Sequence, residues 1–274
     1  MIIKTISGKT NPKDKNKSLA KETLEILKNK SYSFNSTNVS IATELDYAIS
    51  NTEYYPDELE VTLDAAITPT LEVVNETTSQ AAFRLLSAGK DNVVALNFAS
   101  ARNPGGGWLH GAQAQEEDLC RTSGLYSCLL KKPLYYNANI LCDNSYYTNG
   151  MIYSPKVPFF RDHNNLLLET PFPLSIITAP APCLINMDSP DEDRLDLIFK
   201  ERTIKILQIA HKHGHKNIIL GAWGAGAFRN DPVRVAYFFR NALQAVQAFE
   251  NVCFAVYDTS PDLIRYNTFK QIIK

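Results

Sequence analysis

Short apolar segments recur along the chain, and a stretch with helical periodicity follows most of them. Continuous apolar runs of this length are typical of strands that are buried on both faces of a sheet. Strands that alternate with helices favour an α/β fold, in which a mixed or mostly parallel sheet lies between helices on both faces. The predicted strands lie at 71–74, 92–98, 151–154, 174–179, 217–221 and 252–257.

Helix signals lie between these strands. Ser189 and Glu192 have the spacing of a capping box, which predicts a long helix that ends near His213 and stops at Gly214. The other predicted helices lie at 18–30 and 41–49, after the capping pair Thr77 and Gln80, at 112–130, and after Asp231 and Pro232.

Other parts of the chain lack this regularity. Residues 8–17 are polar and rich in lysine, which predicts a solvated arm. Prolines interrupt residues 131–173, which predicts loops there apart from the strand at 151–154. Residues 57–60 are predicted to be an acidic connector. We therefore expect an arm and accessory helices at 1–60, too short to bury a core alone, packed on a core domain at 61–274.

The charge of the chain is nearly balanced, with 28 basic and 29 acidic side chains among 274 residues. A general nucleic-acid binder would usually be basic, so we expect no direct recognition of a DNA or RNA duplex. No apolar run is long enough to cross a membrane, and the N-terminus lacks the apolar centre of a secretion signal. We expect a monomeric, cytoplasmic protein that does not bind membranes.

The metal-binding residue types form no convincing site. The five cysteines are irregularly spaced, which favours small buried hydrophobic side chains over disulfides or zinc ligands. His211, His213 and His215 fall at the end of a predicted helix, where solvated basic side chains are common. We expect neither a metal nor another cofactor.

Two glycine-rich loops, at 104–107 and 221–226, each follow an apolar strand. Ligands of open α/β sheets bind beyond the carboxyl ends of the strands, so these loops can converge on one crevice. Gly105, Gly106 and Gly107 allow the backbone to approach a ligand closely. The second loop precedes a helix start, where free N–H groups would suit a diphosphate.

Two adjacent carboxylates follow the first loop, in the sequence Gln115, Glu116 and Glu117. Acids of this kind are candidate proton donors and acceptors. Neighbours on a helix project about 100° apart, so the two cannot form an opposed pair across a glycosidic bond. One acid could protonate a leaving oxygen while the other holds a sugar hydroxyl. The alternative is a solvated acidic helix start.

Aromatic residues in the second loop allow two interpretations. Phe228 could stack on a nucleobase, which contributes about 1–3 kcal/mol, or it could be an ordinary core residue. Trp223 allows the same two interpretations.

Together these segments resemble the signature of the bacterial-type poly(ADP-ribose) glycohydrolases, which are catalytic macrodomains. The segments at 153–162 and 221–231 also look like parts of this family, so the resemblance extends from about residue 35 to 260. The signature is a triple glycine, a short spacer and Gln-Glu-Glu, here Gly105, Gly106, Gly107, Gln115, Glu116 and Glu117.

This resemblance implies a macrodomain-like three-layer α/β/α fold with a mixed, mostly parallel sheet and an N-terminal helical extension. It implies that Glu117 is the catalytic acid, and that Glu116 and Asn103 hold hydroxyl groups of the distal ribose. The other binding residues implied by the resemblance are Gly105, Gly106, Gly107 and Gln115 around the ribose, Gly224, Ala225, Gly226 and Ala227 at the diphosphate, and Phe228 at the adenine.

The implied activity is hydrolysis of ribose–ribose O-glycosidic bonds in poly(ADP-ribose) on modified proteins, with release of ADP-ribose. Two alternatives stay open at this point. One is a hydrolase that removes single ADP-ribose units from a protein or nucleobase, and the other is a non-catalytic ADP-ribose-binding domain. The second alternative needs the glycine loops but not the two acids.

Overall fold

The structure is a computed structural model that describes residues 11–56, 66–142 and 144–274. Its strands are β1 (Ser31–Phe34), β2 (Thr37–Ser40), β3 (Glu53–Tyr55), β4 (Thr70–Val74), β5 (Val93–Phe98), β6 (Met151–Arg161), β7 (Leu167–Ala179), β8 (Asn217–Leu220) and β9 (Asn251–Ala255). Its helices are α1 (Pro12–Asn29), α2 (Ala42–Ser50), α3 (Thr78–Ser87), α4 (Gln115–Thr122), α5 (Leu125–Leu129), α6 (Pro133–Leu141), α7 (Glu192–Lys212), α8 (Pro232–Ala245) and α9 (Ile264–Ile272), with a 3₁₀ turn at Trp108–His110.

Within the described residues, a central sheet has the strand order β3-β6-β7-β5-β8-β9-β4. The strands from β7 to β4 pair in parallel, whereas β6 pairs antiparallel with both β3 and β7. One face packs against α7, α8 and α9, and the other packs against α3, α4, α5 and α6. Side chains of β5 alternate between these two cores, so the predicted mixed, mostly parallel sheet between helices is confirmed.

The N-terminal helices lie on the second core, where Ala20 of α1 and Ala48 of α2 are buried. Helix α1 begins at Pro12, so the prediction of a solvated arm is wrong for the residues from Pro12 onward. Asn11 caps the helix and Pro12 fills its first turn, a combination that overrides the polar composition. Residues 8–10 of the predicted arm and the predicted connector at 57–60 lie outside the described residues.

The predicted helix at 112–130 is interrupted. It starts at Gln115, and Ser123 and Gly124 separate α4 from α5. Here the Gly124 N–H donates to the Pro158 carbonyl at 2.9 Å, and Ser123 bridges to Phe159. A β-carbon on Gly124 would lie 2.6 Å from Leu45 Cδ1. The chain leaves the helix because β6 offers its backbone groups at this point.

The prediction of loops at 131–173 is also wrong. Helix α6 starts at Pro133, and β6 and β7 form a long hairpin in spite of their prolines. A register shift after Ser154 accommodates Pro155, while Pro158 and Pro173 face each other across the hairpin. Bulges and positions without ladder hydrogen bonds are where a strand tolerates proline.

The start of α7 and the histidines at its end differ from the predictions. The helix cap is Asp191, which accepts the Arg194 N–H, rather than Ser189. His215 is buried, with its ring nitrogens 2.8 Å from Tyr153 Oη and from the Asn92 carbonyl. His213 stacks on Tyr153. His215 therefore belongs to the interior at the end of the sheet where β5 and β8 begin, and His213 is partly buried beside it.

Candidate active site

The two glycine-rich loops meet at the carboxyl ends of neighbouring parallel strands. The first loop leaves β5 and the second leaves β8, and these strands pair directly. A cavity of about 1130 Å³ lies between the loops, and α4 forms part of its wall. The predicted convergence of the loops on one crevice is therefore present in the structure, as expected for an open α/β sheet.

The triple glycine gives α4 room to approach the first loop. Gly105 and Gly106 have φ angles of 72° and 60°, which favour glycine. A β-carbon on Gly106 would collide with Oε1 of Glu117 and would lie 3.2 Å from Oε2 of Glu116. On Gly105 it would lie 2.7 Å from Trp108 Cδ1. The glycines thus allow both acids to lie directly against the loop.

Glu116 is almost fully buried beneath the loop, with 3% of its surface exposed. The Ser100 N–H donates to Oε2 at 2.7 Å, and Asn97 Nδ2 donates to Oε1 at 3.2 Å. Burial raises the pKa of Glu116 to about 8, although these two hydrogen bonds oppose the rise. At neutral pH, Glu116 is therefore mostly protonated and uncharged in the folded protein.

Glu117 lies at the cavity surface and is held by one backbone contact. The Gly107 N–H donates to its Oε1 at 2.9 Å. Glu117 lines the cavity together with Gly106 and Gly107, and its side chain is only partly buried. The two neighbouring acids thus differ in environment, since one is enclosed and uncharged and the other faces the space that a ligand can enter.

Gln115 uses its side-chain amide to fix the start of α4 on the sheet. Its Oε1 accepts the Phe98 N–H at 2.8 Å, and its Nε2 donates to the Leu96 carbonyl at 2.7 Å and to Thr78 Oγ1 at 3.0 Å. These contacts position Glu116 and Glu117 relative to the end of β5. A direct contact between Gln115 and a substrate stays a prediction.

The second loop presents backbone N–H groups to the cavity. Gly224 has a φ of 75°, and a β-carbon there would lie 2.5 Å from Ala181 Cβ. Gly226 and Ala227 are exposed at the cavity wall, and within the described residues their N–H groups have no hydrogen-bond acceptor. The Ala225 N–H instead donates to the Ala222 carbonyl at 3.0 Å, which closes the turn.

The aromatic side chains of the second loop have different surroundings. Trp223 is fully buried and donates from Nε1 to the Ala179 carbonyl at 3.0 Å, so it is a core residue. Phe228 is partly buried against the core but also lines the cavity. Its ring lies 6.4 Å from that of Tyr147. Phe228 therefore contacts both the core and the cavity, and stacking on a base stays a prediction.

Most of the predicted site residues line the same cavity. Gly105 and Ala225 are the exceptions, because Gly105 packs on Trp108 and Ala225 packs on the core beneath its loop. The predicted residues in the cavity wall are Asn103, Gly106, Gly107, Gln115, Glu116, Glu117, Gly224, Gly226, Ala227 and Phe228.

The segment after β9 adds residues that the sequence analysis missed. Tyr257 and Arg265 line the cavity, and Arg265 donates to Asp258 Oδ1 at 2.8 Å. Burial raises the pKa of Asp258, but hydrogen bonds from Arg265 and Ser260 outweigh it and hold the pKa below its usual range. The sequence could have indicated these residues, because they follow β9, a further parallel strand whose carboxyl end faces the same crevice.

The described residues contain no group of three or more His, Cys, Asp or Glu side chains that could hold a metal ion. Among the helices described, none is long and apolar enough to cross a membrane. The expectation that no metal or cofactor takes part stays a prediction.

The raised pKa of Glu116 makes the stability of the fold depend on pH. The folded protein keeps this proton up to about pH 8, whereas the ordinary value is 4.5. A raised pKa in the folded state stabilises the fold at low pH, and this contribution is lost as the pH rises to about 8. Relative to Glu116→Gln, the free energy of unfolding of the unmutated protein should fall between about pH 4.5 and 8. Urea unfolding of both proteins across this range measures the difference, and parallel profiles would contradict a protonated Glu116.

Comparison with known proteins places this geometry in a family. Residues 20–162 match the family model described as the catalytic domain of microbial-type PARG, that is, poly(ADP-ribose) glycohydrolase. None of the curated proteins searched matches the chain.

Solved structures of bacterial poly(ADP-ribose) glycohydrolases are similar over nearly the whole chain. The enzyme from Thermomonospora curvata is 37% identical, with a TM-score of 0.88 over 94% of this chain and 99% of that one. A structure of the same enzyme bound to the inhibitor ADP-HPD gives 37% identity over the same shares of the two chains and a TM-score of 0.86. The enzyme from Deinococcus radiodurans in complex with ADP-ribose is 38% identical, with a TM-score of 0.75 over 83% of this chain and 96% of that one. The resemblance in the sequence and the expected macrodomain-like fold are confirmed, and this chain belongs to the microbial-type poly(ADP-ribose) glycohydrolase family.

Proposed function

We propose that this protein hydrolyses ribose–ribose O-glycosidic bonds in poly(ADP-ribose) and releases ADP-ribose, with Glu117 as the general acid and base. The observation that carries the proposal is the position of Glu117 at the cavity surface, fixed to the Gly107 N–H at 2.9 Å. The family is one of glycosidases, and its Deinococcus member was solved with ADP-ribose bound. The predicted activity therefore agrees with the family to which the chain belongs.

The reaction needs two proton transfers, one from Glu117 to the leaving oxygen and one from water to Glu117. Protonated Glu117 donates its proton to the leaving ribose oxygen as the bond from that oxygen to the anomeric carbon breaks. The sugar then has oxocarbenium character, as in other glycosidases. The Glu117 carboxylate next accepts a proton from water, whose oxygen bonds to the anomeric carbon. The products are a free hydroxyl on the leaving chain and ADP-ribose, and Glu117 regains its proton.

Glu116 suits a binding role better than proton transfer to the leaving group. It is enclosed by Asn97 and the Ser100 N–H, so its carboxyl group has little freedom to follow a reacting atom. In its uncharged form it places no second negative charge beside Glu117. We propose that Glu116 and Asn103 hold the hydroxyl groups of the distal ribose. Asn103, Gly106 and Glu116 all line the same cavity.

The rest of the nucleotide fits the second loop. The exposed N–H groups of Gly226 and Ala227 suit the diphosphate, since they have no acceptor within the described residues. Gly224 shapes the turn that presents them, and Ala225 supports it from below. Phe228 lines the same cavity and would stack on the adenine.

We further propose that the protein acts as a cytoplasmic monomer on ADP-ribose chains attached to proteins. The near balance of 28 basic and 29 acidic residues supports the absence of DNA or RNA duplex recognition. A non-catalytic ADP-ribose-binding domain would not need the two adjacent acids at the cavity. Removal of single ADP-ribose units uses the same pocket, so the substrate comparison below includes it.

Replacing Glu117 with Gln tests the proposed reaction. Glu117→Gln keeps the shape and the Gly107 contact but cannot donate or accept the catalytic proton, a contribution of about 10²–10⁴-fold. We expect release of ADP-ribose from poly(ADP-ribose) to fall by at least this much, while ADP-ribose binding by calorimetry persists. Glu250→Gln, at an exposed position, is the matched control.

Substrate choice separates the two enzymatic alternatives in the same assay. We expect the unmutated protein to release ADP-ribose from the polymer faster than from mono-ADP-ribosylated proteins. Release from the mono-ADP-ribosylated proteins alone would support the alternative hydrolase. Binding without release from either substrate would overturn both enzymatic proposals.

Phe228→Ala tests the placement of the adenine. Loss of stacking of about 1–3 kcal/mol should weaken ADP-ribose binding by roughly 5- to 150-fold. Calorimetric titration with ADP-ribose measures this, and Phe83→Ala is the control because Phe83 is an exposed phenylalanine outside the cavity wall. Equal affinities for the two variants would mean that Phe228 serves only the core.

A further inference from the structure

A row of lysines follows one flank of α1 and begins beside Gly111, next to the 3₁₀ turn whose Leu109 and His110 line the cavity. Lys13, Lys17 and Lys21 are spaced four residues apart, so they lie on the same side of the helix. Lys17 is 3.6 Å from Asp14, and within the part of the chain that the structure describes, Lys13 and Lys21 form no ion pair. We call these three residues the lysine row.

The lysine row is unfavourable for the helix that carries it. Like charges four residues apart repel each other, and cations in the first turns oppose the helix dipole. The chain as a whole has a formal net charge of only −1, so this concentration of positive charge is local. A helix that carries such unfavourable charges without a gain in packing is typical of a functional surface.

A short series of contacts connects the lysine row to the catalytic acid. The Lys13 carbonyl lies against the α-carbon of Gly111, with Lys13 Cγ 3.0 Å from the position of a β-carbon there. Asn16 Nδ2 also donates to the Gly111 carbonyl, at 3.4 Å. The next residue, Ala112, donates its N–H to the Gly107 carbonyl at 3.2 Å. Gly107 in turn holds Glu117.

The units of the polymer beyond the scissile bond must leave the cavity on the side away from the second loop. The unit that is cleaved off occupies the space from Glu117 to the second loop, where its own diphosphate binds. The leaving oxygen belongs to the next unit of the polymer, which therefore starts at Glu117 and extends away from the second loop. Leu109, His110 and Gln113 line the cavity, and Lys13 of α1 packs against Gly111 between them. Each further unit carries two phosphate groups.

We propose that the lysine row binds the diphosphate groups of the polymer on the leaving side of the scissile bond. This inference rests on the proposed function and adds a second, electrostatic contact beyond the ADP-ribose pocket. It makes the protein favour long anionic chains over isolated ADP-ribose units, because phosphate contacts contribute affinity that does not depend on the pocket.

A charge-reversal variant of the lysine row tests this proposal. Lys13→Glu, Lys17→Glu and Lys21→Glu are combined and compared with Lys28→Glu, Lys90→Glu and Lys200→Glu, which change the net charge equally at exposed positions elsewhere. Glutamates near the start of a helix favour the dipole, so the fold of the first variant should be retained. Thermal unfolding of both variants checks this.

The expected result is specific to the polymer. Reversal of the lysine row should raise KM for long poly(ADP-ribose) about tenfold, with kcat and the calorimetric affinity for ADP-ribose unchanged. The slope of log(kcat/KM) against log salt concentration should become shallower by about 2, at roughly 0.7 for each lost phosphate contact. The control variant should keep the slope of the unmutated protein.

Polymer binding in a Glu117→Gln background separates this proposal from the proposed function. If the unmutated protein does not release ADP-ribose, the reaction is wrong, but weaker polymer binding on reversal of the lysine row would still support the surface. Equal polymer binding and equal salt slopes for the two triple variants would overturn the lysine row as a binding surface. An equal loss of affinity for ADP-ribose itself would also overturn it, because it would place the effect in the pocket.

Discussion

The site depends on the close approach of two glutamates to a backbone that lacks side chains. The triple glycine and the first turn of α4 are in contact, and a β-carbon on Gly106 would occupy the position of the Glu117 carboxylate. Gln115 fixes the helix start to the end of β5 with three hydrogen bonds, so the acids cannot retreat together. The parallel pairing of β5 and β8 then brings the second loop to the opposite wall. The positions of the two loops and of the two acids therefore depend on one another, and the closest contact among them is that between Gly106 and Glu117.

Burial is what divides two chemically identical acids. Glu116 lies under the loop, where loss of solvent favours its uncharged form, whereas Glu117 faces the cavity. A helix turns about 100° per residue, so adjacent positions necessarily meet different surroundings. This arrangement suits a glycosidase that uses one residue for proton transfer and another for binding the sugar.

The sequence predicts the elements that depend on local pattern. The buried strands, the capping pair Thr77 and Gln80 and the two glycine loops all occur as expected. The features that it could not predict depend on distant partners. Gly124 breaks a helix because the Pro158 carbonyl needs a donor, and His215 is buried because Tyr153 and Asn92 bind its ring. The family resemblance suggested unequal roles for the two acids, but only the packing of α4 against the first loop shows how their environments differ.

A comparison of two alanine substitutions tests the glycine contact most directly. Gly106 and Gly89 both have positive φ angles, 60° and 78°, but a β-carbon on Gly89 would meet nothing within 4 Å. Both Gly106→Ala and Gly89→Ala should lose a similar 1–2 kcal/mol of stability, roughly the cost of a left-handed residue. Only Gly106→Ala displaces the Glu117 carboxylate, so its release of ADP-ribose from poly(ADP-ribose) should fall by about 100-fold relative to Gly89→Ala. Equal rates for the two variants would contradict the proposal that this contact positions Glu117 for proton transfer.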